Sequence, residues 1–200
     1  MTTLELAQEI AKGLVETGIE GGFGSVSCST AGDYPSMGIS QWEGIDGGRG
    51  DTLLSYIDGG EDFVGRTYSD ILESGEMERL KELLDSEQGH EAQLAILTDD
   101  CRTYVDYLMD IEGFTDCRCI IYAGMWCPTS HYVVKHFLSN RADDNDLNSL
   151  ETVFQLFAEE YATAAGCGAY SAGYTNRAIE SFDYVSNLDL SSYGVGEYDE

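Results

Sequence analysis

Residues 20–26 read Glu-Gly-Gly-Phe-Gly-Ser-Val, and residues 36–42 read Ser-Met-Gly-Ile-Ser-Gln-Trp. Apart from Glu20, both stretches belong to the segment 21–60, which holds 11 of the 23 glycines and few helix-forming residues. Glycine favours tight turns and lets two backbone segments approach closely. We therefore predict a small lobe of turns and short strands over residues 21–60.

Helical periodicity surrounds this lobe on both sides. Residues 3–19 carry an apolar stripe that includes Leu4, Ala7, Ile10 and Leu14, with Thr3 as the expected N-cap and Gly21-Gly22 as the stop. Further helices are predicted over 68–74, 77–86, 90–111, 116–125, 129–139, 147–164 and 170–186. The apolar face of the longest is expected to carry Ala92, Leu94, Ala95, Leu97, Cys101, Tyr104, Val105 and Leu108.

This pattern predicts a mostly α (α+β) fold, in which a helical body carries a small glycine-rich irregular or β lobe. We expect one domain over residues 1–193, with the lobe 21–60 inserted after the first helix. Residues 194–200 are expected to form a flexible acidic tail.

The charge balance excludes several classes of partner. The 200 residues include 37 acids and 10 Lys or Arg, for a net charge of −27, whereas nucleic acids and anionic membranes require a basic surface. No apolar run reaches the length of a membrane span. Since the first residues lack the basic segment of a secretory leader, we expect synthesis in the cytoplasm without export, unless the protein is released by another route.

Metal and cofactor sites are not predicted. The six cysteines form no Cys-x-x-Cys pair, and Cys117 and Cys119 are too close for an ordinary zinc knuckle. His131 and His136 are five residues apart, so they do not share a helix face as a metal-binding pair would. Reduced thiols in small core positions are the expected use of the cysteines.

The glycine-rich segment also carries a set of residues suited to cleaving a polysaccharide. Glu20 follows the first helix, where partial burial would raise the pKa of its carboxyl group and keep it protonated as a general acid. Asp33 is the nearest candidate for a second carboxylate. Gln41 would offer an amide donor, and Trp42 an aromatic face for stacking against a sugar ring.

The stretches 20–26 and 36–42 together resemble the catalytic segment of lysozyme-like peptidoglycan hydrolases found in phages of Gram-positive bacteria. Those domains typically read Glu-Ser-Gly-Gly-x-Tyr-Gly-Ser-Val and, after a polar loop, Ser-Ile-Gly-x-x-Gln-Trp. Weaker matches follow in the same order, so the resemblance extends over residues 5–186.

The resemblance implies a lysozyme-like fold and cleavage of the bond between N-acetylmuramic acid and N-acetylglucosamine. By position, Glu20 matches the catalytic acid, Ser36, Gln41 and Trp42 match cleft residues, and Tyr122 matches a tyrosine that faces the cleft. The Asn-Asp pair of the family's polar loop is absent, and Asp33 is the candidate replacement. Such an enzyme would act on the cell wall after release.

Two alternatives remain open at this stage. A chitosanase-like glycosidase would share the architecture, and its polycationic substrate would be attracted by a strongly acidic protein. In a different class, an acidic phage protein would mimic nucleic acid and inhibit a basic host defence protein. The chitosanase alternative requires a second catalytic carboxylate, so the role of Asp33 would distinguish it. Acidic residues gathered on a single face would favour the inhibitor.

Overall fold

The computed structural model describes residues 1–18, 21–161 and 171–191, and these residues are mostly helical with one small antiparallel sheet. This confirms the predicted mostly α class with a small β lobe. The chain forms two compact units, one of residues 1–17 and 98 onward, the other of residues 18–97. The second unit is larger than the predicted lobe 21–60, because helices that follow the glycine-rich segment belong to it. The predicted tail 194–200 lies outside the described residues.

The unit of residues 18–97 contains the sheet. Strand β1 (Val26–Cys28) pairs with β2 (Pro35–Met37), which pairs in turn with β3 (Trp42–Glu43). The strands are followed by helix α2 (Arg49–Ser55), a 3₁₀ turn (Gly60–Phe63), α3 (Tyr68–Glu73), α4 (Met77–Leu84) and the first part of α5 (Glu87–Met109). Helix α2 was not predicted, because its apolar pattern is short and lies within the glycine-rich segment.

The other unit contains α1 (Thr3–Thr17), the second part of α5, α6 (Cys117–Gly124), α7 (Cys127–Ser139), α8 (Leu150–Gln155) and α9 (Ser171–Ser186). Helix α8 continues as a π-helical segment, Leu156–Tyr161. Each of these helices lies close to its predicted range. Positions 162–164 of the predicted helix 147–164 lie outside the described residues.

The residues that cap helix α1 at its two ends differ from the predicted ones. Thr2, rather than Thr3, is the N-cap: its hydroxyl accepts from the backbone N–H of Glu5 at 3.2 Å, and the Glu5 carboxylate accepts from the N–H of Thr2 at 2.7 Å. The carboxylate also accepts from the Thr2 hydroxyl at 3.1 Å, and its bonds to the Thr2 N–H and hydroxyl lower the pKa of Glu5. The helix ends at Thr17, before Gly18 with φ 62°, so Gly18 provides the stop that was assigned to Gly21-Gly22.

The buried face of α5 differs from the prediction at three positions. Leu94 and Ala95 are exposed, whereas Ile96 is buried, because the true stripe passes through residues 89, 93 and 96–97. This stripe places a polar residue, Gln93, at a fully buried position. A buried amide must be hydrogen-bonded to avoid a large desolvation cost.

The side chain of Gln93 meets this requirement by holding three segments together. Its Nε2 donates to the carbonyl oxygens of Phe23 at 3.2 Å and Leu84 at 2.8 Å, and its Oε1 accepts from the N–H of Ile39 at 3.0 Å. Gly38 has φ 71°, and a Cβ at this position would overlap the Gln93 amide. The amide therefore fixes the turn between β2 and β3 against the segment that follows Glu20.

We predict that Gln93→Leu lowers the free energy of unfolding by about 2–4 kcal/mol, because it leaves two carbonyls and one N–H buried without these partners. Chemical denaturation measures the loss. Gln88→Leu is the matched control on the same helix: Gln88 is exposed and accepts one bond from the N–H of Asp58. An equal loss in both variants would contradict the role of Gln93.

Candidate functional site

The predicted general acid, Glu20, lies outside the described residues. Its neighbour Gly21 is described, and it is in close contact with the turn between β2 and β3. A Cβ built on Gly21 would come within 3.2 Å of both Gln41 Nε2 and the Gly38 carbonyl oxygen. Glycine at position 21 is therefore what allows the chain next to Glu20 to approach this turn.

Gln41 is fixed both in its backbone and in its side chain. Its φ of 53° is the one left-handed value among the described non-glycine residues, a conformation that costs free energy and often occurs at functional sites. The side-chain Nε2 donates to the Gly38 carbonyl at 3.0 Å, and Oε1 accepts from the Ser27 hydroxyl at 3.1 Å. The amide is thus held in one orientation at the end of the sheet.

Ser36 contributes to the same arrangement from strand β2. Its hydroxyl donates to the backbone carbonyl of Gln41 at 3.0 Å, and the residue is buried. The fold therefore brings two predicted cleft residues, Ser36 and Gln41, together beside Gly21. Ser27 was not predicted as a site residue. It is the direct cross-strand partner of Ser36 in the pairing of β1 with β2.

Trp42 follows Gln41 directly but points its ring mostly inward. It is 6% exposed and pairs with Met37 across β2 and β3, so little of the ring is available for stacking against a sugar. The next residue, Glu43, is half-buried, and its carboxylate accepts a hydrogen bond from the Ser29 hydroxyl. Glu43 thus places a carboxylate on strand β3, directly after Trp42.

Asp33 has a clear structural task. Its Oδ1 accepts from both the N–H and the hydroxyl of Ser69, each at 3.0 Å, and its backbone carbonyl accepts from the N–H of Tyr68 at 3.2 Å. The Thr67 hydroxyl accepts from the backbone N–H of Asp70. Together these bonds provide acceptors for the backbone N–H groups in the first turn of α3. The side chain of Asp33 is exposed, so its carboxylate is in contact with solvent.

Tyr122 belongs to the other unit and lies in its interior. The residue is fully buried, its hydroxyl donates to the Ala178 carbonyl at 3.4 Å, and its ring meets Phe157 edge-on at 5.7 Å. Burial raises the pKa of Tyr122 well above its ordinary value. Tyr122 is thus a core residue of the unit formed by residues 1–17 and 98 onward.

The cysteines are used in different ways. Cys101, Cys119 and Cys127 are buried, and burial raises the pKa of each thiol, which keeps them protonated in the core as expected. Cys28 is exposed, Cys117 is half-buried, and Cys167 lies outside the described residues. Among residues 1–18, 21–161 and 171–191, no group of three or more His, Cys, Asp or Glu is placed to hold a metal ion.

Comparisons with protein-family models, curated proteins and solved structures find no significant match to this chain. No helix in the described part of the chain is long and apolar enough to cross a membrane. The functional assignment therefore depends on the residues around the turn between β2 and β3. Of the predicted set, Ser36 and Gln41 meet there, and Trp42 adjoins them.

The acceptor oxygen and the negative charge of Asp33 are separable by substitution. We predict that Asp33→Asn leaves the urea midpoint of unfolding unchanged, because the amide oxygen still accepts both bonds from Ser69. Asp33→Ala removes both bonds and lowers the free energy of unfolding by about 1 kcal/mol, as the loss of a helix cap does. Equal destabilisation by both variants would show that the charge, rather than the acceptor, matters.

Proposed function

We propose that this protein cleaves the glycan strand of peptidoglycan, with Glu20 as the general acid. One observation carries the proposal: Gly21, the residue bonded to Glu20, is packed against the amide of Gln41. Residues 21–26 and 36–42, which belong to the two stretches that resemble a lysozyme-like catalytic segment, are therefore neighbours in the fold. We propose in addition that the fold is lysozyme-like.

The order of the elements supports the same architecture. A buried helix, α1, precedes the segment of Glu20, a three-stranded antiparallel sheet follows it, and the long helix α5 leads to the remaining helices. The unit boundary also groups α1 with the helices from residue 98 onward, while the sheet belongs to the other unit. This division agrees with a lobe inserted after the first helix.

In the proposed reaction, Glu20 donates its proton to the glycosidic oxygen as the bond to the anomeric carbon breaks. The Gln41 amide, held by Gly38 and Ser27, positions the sugar through hydrogen bonds. Asp33 activates a water molecule if the bond is hydrolysed. If the reaction is a transglycosylation, the sugar's own hydroxyl or acetamido group attacks, and no second carboxylate is required.

We expect purified wild-type protein to clear suspensions of Gram-positive cell walls, and Glu20→Gln to lose at least a hundredfold of this activity, since general acid catalysis contributes about 10²–10⁴ in rate. Turbidity and released sugar ends measure cleavage. Glu82→Gln, an exposed position on α4, carries the same charge change and should remain active. Equal activity of the two variants would exclude Glu20 as the acid.

Asp33→Asn distinguishes the mechanisms, because it removes the carboxylate while keeping the acceptor for Ser69. Hydrolysis of peptidoglycan, or of chitosan by the chitosanase alternative, should fall sharply in this variant. Transglycosylation should continue and yield anhydro sugar ends. Activity of the wild type on chitosan but not on peptidoglycan would replace the proposed substrate.

A second candidate function, binding of a basic partner protein, is favoured by a groove between α1 and α9. The groove has a volume of about 830 Å³ and is lined by five carboxylates and one lysine: Glu9, Glu16, Glu180, Asp183, Asp189 and Lys12. This excess of negative charge on one surface would attract a cationic polypeptide.

If this candidate is correct, the double variant Glu180→Gln with Asp183→Asn binds polylysine at least tenfold more weakly than the wild type at low salt, because two of the five groove carboxylates are neutralised. Calorimetric titration measures the affinity. The control is Glu82→Gln with Asp106→Asn, both exposed and outside the groove. Equal weakening in the control would indicate attraction by total charge alone.

A further inference from the structure

The longest stretch of this chain without an acid has 26 residues. Residues 117–142 lack Asp and Glu entirely, although 37 acids are distributed over the 200 residues. Helix α7 occupies the second half of the stretch and bends at Ser130, whose backbone is extended and whose hydroxyl accepts from the N–H of Val133 at 3.4 Å. The regular helix therefore begins at His131, with Ser130 as its N-cap.

From this start, α7 presents a mixed aromatic and polar stripe. Tyr132, Lys135, His136 and Ser139 follow the spacing that places residues on one helix face. Together with Tyr107 of α5, these four side chains line a pocket of about 300 Å³. Tyr132 is 70% exposed, so its aromatic ring is open to contact by a ligand.

The pocket is built on a set of fixed rings. The Tyr107 and Tyr132 ring centroids are 6.0 Å apart with planes at 56°, and His131 supports Tyr107 edge-on at 4.6 Å. The ammonium of Lys135 lies 5.3 Å from the Tyr107 ring centroid and bonds to Asp110 Oδ2 at 2.8 Å. Two aromatic faces thus stand at an angle to each other, with polar groups beside them.

The charge of the pocket indicates the class of ligand. Asp110 neutralises Lys135, and the nearby Arg141 is paired with Glu160 at 2.8 Å. A phosphate-bearing ligand needs cations that are not already paired. A sugar ring instead offers apolar C–H faces to the tyrosines, and hydroxyl groups to Ser139 and to the remaining N–H groups of the Lys135 ammonium, while His136 Nε2 is bonded to Asn140 at 3.0 Å. The volume is at the lower limit of ligand pockets and suits a single ring.

We propose that this pocket is a saccharide-binding subsite that takes one pyranose ring of an N-acetylated glycan, with the ring stacked on Tyr132 and Tyr107. The choice of glycan rests on the proposed function, while the stacking chemistry does not. Such a subsite would hold a glycan strand by a second contact, on the unit that contains α7, in addition to the residues around Gln41.

The chain has three histidines, and they allow each binding place to be observed separately. His131 and His136 adjoin the pocket, whereas His90 stacks on Phe23 at 3.8 Å in the segment that follows Glu20. Titration of the full chain carrying Glu20→Gln with tri-N-acetylchitotriose, followed by NMR of the imidazole resonances, therefore reports on both. Occupation of the pocket should shift His131 and His136.

We expect Tyr132→Ala to weaken this binding about tenfold, because it removes one stacking face. Tyr132→Trp should retain the affinity. Tyr56→Ala is the matched control, since Tyr56 is 60% exposed and lies at the end of α2. Both positions are on the surface, so all three variants should fold like the wild type.

The proposal is overturned if the sugar shifts neither His131 nor His136, if Tyr132→Ala binds as tightly as the wild type, or if adenosine monophosphate binds the pocket more tightly than the sugar. Shifts that depend on protein concentration without sugar would assign the face to a second copy of the chain and equally overturn it. Shifts of His90 alone would support the proposed function while excluding the subsite. Shifts of His131 and His136 in a protein without wall-cleaving activity would retain the subsite and exclude the proposed function.

Discussion

The arrangement around the candidate site depends on one buried amide. Gln93 bonds to Phe23, Ile39 and Leu84, and so joins the segment after Glu20, the turn before Gln41 and the end of α4. Each of these backbone groups would otherwise lose its hydrogen bond on burial, at a cost comparable to a large fraction of the net stability of a domain. The catalytic proposal thus relies on a side chain that would not itself contact the substrate.

The turn held by this amide combines two kinds of constraint. Gly38 is required by its positive φ and by the nearby Gln93 amide, while Gln41 adopts a left-handed conformation despite its side chain. Strain of this kind persists only where surrounding bonds determine the geometry, and here the bonds from Ser27 and Ser36 do so. The result is a polar group with a fixed direction, which is what preorganised recognition of a sugar requires.

The unit that contains α1 and α9 presents two surfaces of different chemistry. Its groove between these helices collects carboxylates, whereas α7 carries a neutral stripe of aromatic and polar side chains. A net charge of −27 therefore describes the protein only on average. The acidic groove would attract a cationic polypeptide and the aromatic pocket a neutral sugar, so the two proposed binding sites can be tested independently on the same molecule.

The sequence by itself determined the helices other than α2, because the 3.6-residue periodicity of apolar side chains is a local property. It also determined the glycine-rich lobe, because the density of glycines is a local property as well. It also selected Ser36 and Gln41, which the fold brings together. It did not identify Gln93, since a polar residue on an apolar face looks like an interruption until its partners are known. Nor did the sequence show that Asp33 is exposed and bonded to Ser69, or that Tyr122 is buried. Burial and long-range hydrogen bonds arise only when distant segments pack.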